Sequence, residues 1–105
     1  MIGIPTLNIE LSAAPETLDH GVYACLISFE GAQHQGAMHF GPRPVFKDTD
    51  TLEVHVLDTT IATAPKTVDI EVIAKLRAIR KFSSVEALKQ GIQGDIDATR
   101  AILGA

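Results

Sequence analysis

Glu53 stands mid-strand in an otherwise apolar stretch, between Leu52 and Val54. Strict alternation over residues 51–58 puts Leu52, Val54 and Val56 on one face and Glu53, His55 and Leu57 on the other. A solvent-facing strand surface explains such a carboxylate without any chemistry and is the commoner case. The functional alternative is a general base: a carboxylate on a rigid strand, facing a barrel mouth, can take the proton of a hydroxyl as that oxygen attacks phosphorus. Thr6 and Asn8 form a second candidate pair. Separated by one residue, they project to the same side of an extended segment. A hydroxyl and an amide oxygen are hard donors that suit magnesium, with phosphates and water completing the shell. A turn or cap after Pro5 is the ordinary role of an isolated Pro-Thr-x-Asn. The four histidines make no zinc motif. His39 and His55 fall on successive strands, but no third ligand has sensible spacing, and structural or surface roles are the simpler reading. There is no Walker loop and no nucleophile elbow.

The elements that must carry these residues read as strands followed by one helix. Residues 21–29 form a strand with both faces apolar, Tyr23, Cys25, Ile27 and Phe29 on one and Val22, Ala24 and Leu26 on the other, which predicts cover on both sides. Glu30-Gly31-Ala32 supplies turn chemistry, and a partner strand runs to about Phe40, giving a hairpin. Gly41-Pro42-Arg43-Pro44 reads as a stiff extended loop rather than a central strand, because proline has no N–H for the ladder. After the Glu53 strand and a loop containing Pro65, residues 68–76 alternate again. Val68, Ile70, Val72, Ala74 and Leu76 fall on one face, Asp69, Glu71 and Lys75 on the other, with Ile73 as the exception. The last segment is an amphipathic helix. Ser83 is its expected N-cap with Glu86 three residues on, and Val85, Leu88, Ile92, Ile96, Thr99 and Leu103 recur at helical spacing. Gly91 and Gly94 weaken it, and Gly104 is its stop. The predicted fold is mainly β: a small closed barrel of antiparallel strands with one C-terminal helix packed outside.

Bulk properties narrow the function classes. A chain of 105 residues predicts one domain, and 46% apolar with 21% charged residues is a globular balance. A net charge of −4 and the lack of a Lys/Arg cluster argue against a nucleic-acid partner. No apolar run reaches the roughly 20 residues of a membrane span, and the N-terminus lacks a signal pattern. The lone cysteine, Cys25, sits in an apolar run, so an inert thiol in a reducing, cytoplasmic setting is expected.

Taken in order, the segments resemble one family, the ATP-dependent riboflavin kinases, which also occur as the C-terminal half of bifunctional bacterial FAD synthetases. Gly3-Ile4-Pro5-Thr6-Leu7-Asn8 is similar to that family's Gly-Phe/Ile-Pro-Thr-Ala-Asn signature. Gly21-Val22-Tyr23-Ala24 matches its Gly-Val-Tyr strand, and Gly41-Pro42-Arg43-Pro44-Val45-Phe46 resembles its Gly-Thr-Arg-Pro-Thr-Phe loop. Leu52-Glu53-Val54-His55-Val56-Leu57-Asp58 resembles its Leu-Glu-Val-His-Leu-Leu-Asp strand. Leu76-Arg77, Lys81-Phe82-Ser83-Ser84 and Glu86-Ala87-Leu88 resemble the approach to its last helix, and Ile92-Gln93, Asp95-Ile96 and Ala98 continue the match.

The resemblance implies a six-stranded Greek-key barrel that transfers the γ-phosphoryl of ATP to the ribityl 5′-hydroxyl of riboflavin. It implies Glu53 as the base, Thr6 and Asn8 as holders of magnesium, and Gly3, Thr6 and Asn8 as nucleotide contacts. Arg77 and Phe82 would line the flavin pocket, with a surface charge and helix-start packing as equally simple readings of the two. Departures are visible. The family has a further strand and a glycine-rich basic loop before the signature, where this chain starts at Met1. Pro42 replaces a threonine, residues 62–65 lack a Tyr-Gly loop, and Ile79 replaces a glutamate. A barrel short at that end would leave an edge for self-association or a partner. It also leaves two further readings: a flavin- or nucleotide-binding barrel without turnover, and an interaction domain that uses its open edge.

Overall fold

A computed structural model describes residues 4–42 and 50–104. The expected Gly3 contact and the Arg43-Pro44-Val45-Phe46 part of the loop lie outside the described residues. Five strands, β1 (Thr6–Ile9), β2 (Gly21–Phe29), β3 (Ala32–Pro42), β4 (Asp50–Val56) and β5 (Asp69–Arg77), are followed by one helix, α1 (Val85–Leu103). A short 3₁₀ turn, Leu11–Ala13, follows β1.

All strand pairs are antiparallel, in the order β1-β4-β3-β2-β5. β2, β3 and β4 follow one another as neighbours, and β5 returns to lie beside β2, which is the Greek key. The hairpin turn between β2 and β3 is the two-residue Glu30-Gly31, with φ of 51° and 81°. Positive φ at both central positions matches the twist of the flanking strands, and glycine at the second lowers the strain.

Alternation sorts the sheet into two buried faces. One buries Leu7, Tyr23, Cys25, Ile27, Met38, Leu52, Val54 and Val56 in a single core. There burial pushes the Cys25 thiol up to about 12. The other face carries Val22, Ala24 and Ala37, all buried, under α1 with its buried Ile96 and Thr99. The small alanines let the helix approach the sheet closely. β2 is therefore covered on both sides, as its composition requires.

Several details differ from the sequence expectation. The sheet does not close: among the described residues no ladder joins β1 to β5. Ile9, Ala14, Leu18 and Val68 pack into that gap around a hollow of about 380 Å³ instead. β3 continues through Gly41 and Pro42, which pair with Thr51 and Asp50. The β2 ladder has already ended at Phe40, so this proline meets a strand on one side only. β5 contains two register shifts, which leave Ile73 and Leu76 without partners on β2 and break the strict alternation. The helix cap is Ser84 rather than Ser83. The Ala87 N–H donates to Ser84 Oγ at 3.1 Å, so Glu86 lies one residue too early for a capping box. Gly104 ends the helix at φ 85°.

Candidate active site

β4 lies between β1 and β3, so Glu53 has Asn8 directly across one ladder and His39 across the other. His39 in turn faces Val22, and Val22 faces Arg77. One row thus crosses the whole sheet: Asn8, Glu53, His39, Val22, Arg77. The adjoining row runs Thr6, His55, Ala37, Ala24, Ala74. Both rows lie on the face opposite the Leu52–Val54–Val56 core. The helix packs on that face chiefly over β3, β2 and β5. Thr6 and Asn8, on the β1 edge, stay exposed.

Where the helix meets these rows there is a cavity of about 110 Å³, lined among others by Glu53, His39, Thr51, Arg77, Phe82 and Asp95. A second hollow of about 480 Å³ opens on the edge of β1, lined by Thr6, Asn8 and the Lys66–Thr67 loop. Thr6 and Asn8 are therefore flanked by the second hollow on one side and by Glu53 and His55 on the other.

Hydrogen bonding and charge are unevenly satisfied here. Thr6 Oγ lies 2.8 Å from His55 Nδ1 across the β1–β4 ladder. Burial pushes both His39 and His55 below the ordinary imidazole value, and the nearby Glu53 pulls the other way without reversing it. Both rings are thereby held neutral. Neither ring nitrogen of His39, nor the Thr51 hydroxyl, has a hydrogen-bond partner among the described residues, although all three atoms are buried.

The far wall is tightly built. Arg77 Nε and Nη2 donate to the two Asp95 oxygens at 2.7 and 2.8 Å, and Nη1 donates to the Ala78 carbonyl at 3.1 Å. Such a fork-to-fork pair fixes the guanidinium plane. It also ties the end of β5 to the middle of α1. The Phe82 ring lies beneath two guanidinium groups, 5.7 Å from Arg77 Cζ and 5.0 Å from Arg80 Cζ. Gly91 makes room for that ring: a Cβ there would stand 2.5 Å from Phe82 Cζ.

The structure thus gathers Glu53, Arg77 and Phe82 on one cavity and sets Thr6 and Asn8 beside it. Arg77 is not a free surface charge, and Phe82 both packs on the helix start and faces the cavity. The sequence reading gave His39 and His55 only structural or surface roles and assigned no role to Asp95 or Thr51. A signal for Asp95 was present: it falls on the apolar stripe with Ile92, Ile96 and Thr99, where a charge demands a partner.

Comparison with known proteins gives the arrangement a family. A family model described as riboflavin kinase, or flavokinase, matches residues 1–103. The chain belongs to the riboflavin kinase family. It is 33% identical over 103 residues to a bifunctional riboflavin kinase/FMN adenylyltransferase of Pseudomonas fluorescens, covering 96% of this chain and 33% of that protein. It is 28% identical to human riboflavin kinase, covering 94% of this chain and 68% of the human one. A relative from Bacillus subtilis, 30% identical over 90% of this chain and 41% of its own length, is described as an RNA-binding riboflavin kinase. The chain spans about a third of the length of the bifunctional relatives. Among solved structures, one described as a macrolide-efflux protein from Streptococcus pneumoniae superposes with a TM-score of 0.77. It is 24% identical over 91% of this chain and 32% of its own, and shows the same fold.

Proposed function

We propose that this riboflavin kinase-family domain transfers the γ-phosphoryl of ATP to the 5′-hydroxyl of riboflavin, giving FMN. The observation that carries the reading is the placement of Glu53. It stands directly opposite Asn8 and next to the Thr6–His55 pair, where the cavity under α1 meets the β1 edge and its open hollow. Two substrates approaching from those two sides would meet at this carboxylate. Glu53 accepts the proton of the 5′-hydroxyl as its oxygen attacks phosphorus. The hydrogen bond between the Thr6 hydroxyl and His55 Nδ1 fixes the position of that hydroxyl beside Glu53. Phe82, in contact with the Arg77 and Arg80 guanidinium groups, offers an aromatic surface against which the flavin ring rests, and Arg77 is fixed beside it by Asp95. Positioning and charge neutralisation supply most of the rate, as phosphoryl transfer requires little covalent help.

Magnesium fits the donor set. The Thr6 hydroxyl and the Asn8 amide oxygen are exposed, hard and on one side of β1. They would hold the ion, with ATP phosphates and water completing its shell, and the ion would neutralise charge on the transferred group. The resemblance adds Gly3, outside the described residues, to the nucleotide contacts proposed for Thr6 and Asn8. The proposed partners are riboflavin and ATP; a net charge of −4 and a sequence without a Lys/Arg cluster lend no support to nucleic acid. The buried, unreactive Cys25 fits a reducing cytoplasm. No helix among the described residues is long and apolar enough to cross a membrane.

The test is chromatographic. Purified protein with riboflavin, ATP and magnesium forms FMN, and omitting magnesium stops it. Riboflavin binding without any FMN would replace this reading with a flavin-binding barrel that does not turn over.

A further inference from the structure

His39 is the residue that the phosphoryl-transfer scheme leaves unused and the structure leaves unsatisfied. Both its ring nitrogens are buried without a hydrogen-bond partner among the described residues, and so is the hydroxyl of Thr51. Both residues line the cavity under α1. Burying a polar group without a partner is costly, so natural proteins keep such groups where something else supplies the missing bond. The cavity, about 110 Å³, has several times the roughly 10–15 Å³ that one water needs.

Position narrows what that something is. His39 is directly opposite Glu53, one strand spacing away, or about 5 Å, whereas Arg77 is three spacings away, or about 14 Å. If Glu53 deprotonates the terminal hydroxyl, the atoms next to His39 are those adjoining that hydroxyl. In riboflavin these belong to the polyol chain, not to the ring. A neutral imidazole offers one donor and one acceptor, and a threonine hydroxyl offers both, which together match secondary alcohols.

We propose that His39, assisted by Thr51, hydrogen-bonds the secondary hydroxyls of the acceptor's polyol chain and makes the site selective for a hydroxylated chain. The inference rests on the riboflavin kinase reading above. A site built to hydrogen-bond a hydroxyl rejects analogues that lack it, because its own polar groups are then left unpaired.

The experiment compares riboflavin with a flavin bearing a 5-hydroxypentyl chain, which keeps the terminal hydroxyl and loses the others. Wild type prefers riboflavin strongly in kcat/KM. His39→Leu lowers kcat/KM for riboflavin by about tenfold or more and leaves the hydroxypentyl substrate almost unchanged, so the preference collapses. The KM for ATP stays as in wild type, and His39→Asn, which keeps a donor and an acceptor, recovers part of the preference. Melting without ligand gives an independent reading: His39→Leu melts no lower than wild type, since it removes an unsatisfied polar group. An unchanged preference in His39→Leu overturns the inference while leaving the kinase reading intact, and so does a marked fall in its unliganded Tm. Wild-type protein that phosphorylates neither flavin defeats the kinase reading. In that case the melting result and riboflavin binding by fluorescence quenching decide whether His39 contacts a ligand.

Discussion

Burial sets His39 and His55 against their own charge. In the folded chain both have lowered proton affinity, while in the unfolded chain they titrate near the ordinary 6.5. Above that value both states are neutral and the fold has its full stability. As the pH falls below about 6.5, the unfolded chain takes up protons that the folded chain refuses, and stability is lost until the lowered folded values are passed. Asp58, held low by its hydrogen bond to Arg100, acts in the same direction but only near its ordinary 3.8. The Tm should therefore be lower at pH 5.5 than at pH 7.5. A His39→Leu/His55→Leu double variant should lose most of that difference, and a wild-type Tm that does not change between the two values would contradict it. Neither histidine announced this role in the sequence. Alternation put His55 on the face of Glu53, but both histidines line a cavity with Arg77, Phe82 and Leu88, which are distant in the chain.

The helix α1 and the end of β5 act as one unit through Arg77, Asp95 and Phe82. Gly91 belongs to it. As a helix residue it costs about 1 kcal/mol relative to alanine, and the space it leaves is filled by the Phe82 ring. Gly91→Ala should gain helix propensity while pushing that ring from its seat. The expected result is a Tm close to wild type with a riboflavin KM raised several-fold; an unchanged KM would show that Phe82 does not bear on the flavin. The elements themselves were largely legible. Alternation located β2 to β5, the Glu30-Gly31 turn gave the hairpin, and helical spacing with Gly104 bounded α1 almost to the residue. The shortfalls have local causes. Adjacent serines at 83 and 84 make the cap ambiguous by one position. The register shifts at Ile73 and Leu76 depend on the twist of β5 against β2, which no local pattern encodes. The bidentate Arg77–Asp95 pair joins a strand end to a helix middle and could be suspected only from a charge on an apolar stripe.

At the scale of the molecule, a Greek-key sheet buries one face in its own core and half of the other under α1, and the uncovered half presents Glu53, Thr6 and Asn8. The order of strands grades the stability. β2 is paired on both sides and buried on both faces, whereas β1 is a four-residue edge strand with β4 as its only neighbour among the described residues. Hydrogen exchange should therefore be slowest in β2 and much faster in β1, and equal protection of the two would contradict this grading. The closed barrel expected from the sequence is open between β1 and β5 among the described residues. Strand alternation reports which face is buried but not whether two edges meet. The order of the family-like segments pointed to the family, and the sheet brings residues as distant in sequence as Asn8, Glu53 and Arg77 onto one row. The most direct test of that reaction is single-turnover FMN formation by Glu53→Gln. This substitution keeps the shape and removes the base. Riboflavin should still bind while the rate falls by about 10²–10⁴-fold; a Glu53→Gln protein that makes FMN at the wild-type rate would contradict the role of Glu53 as base.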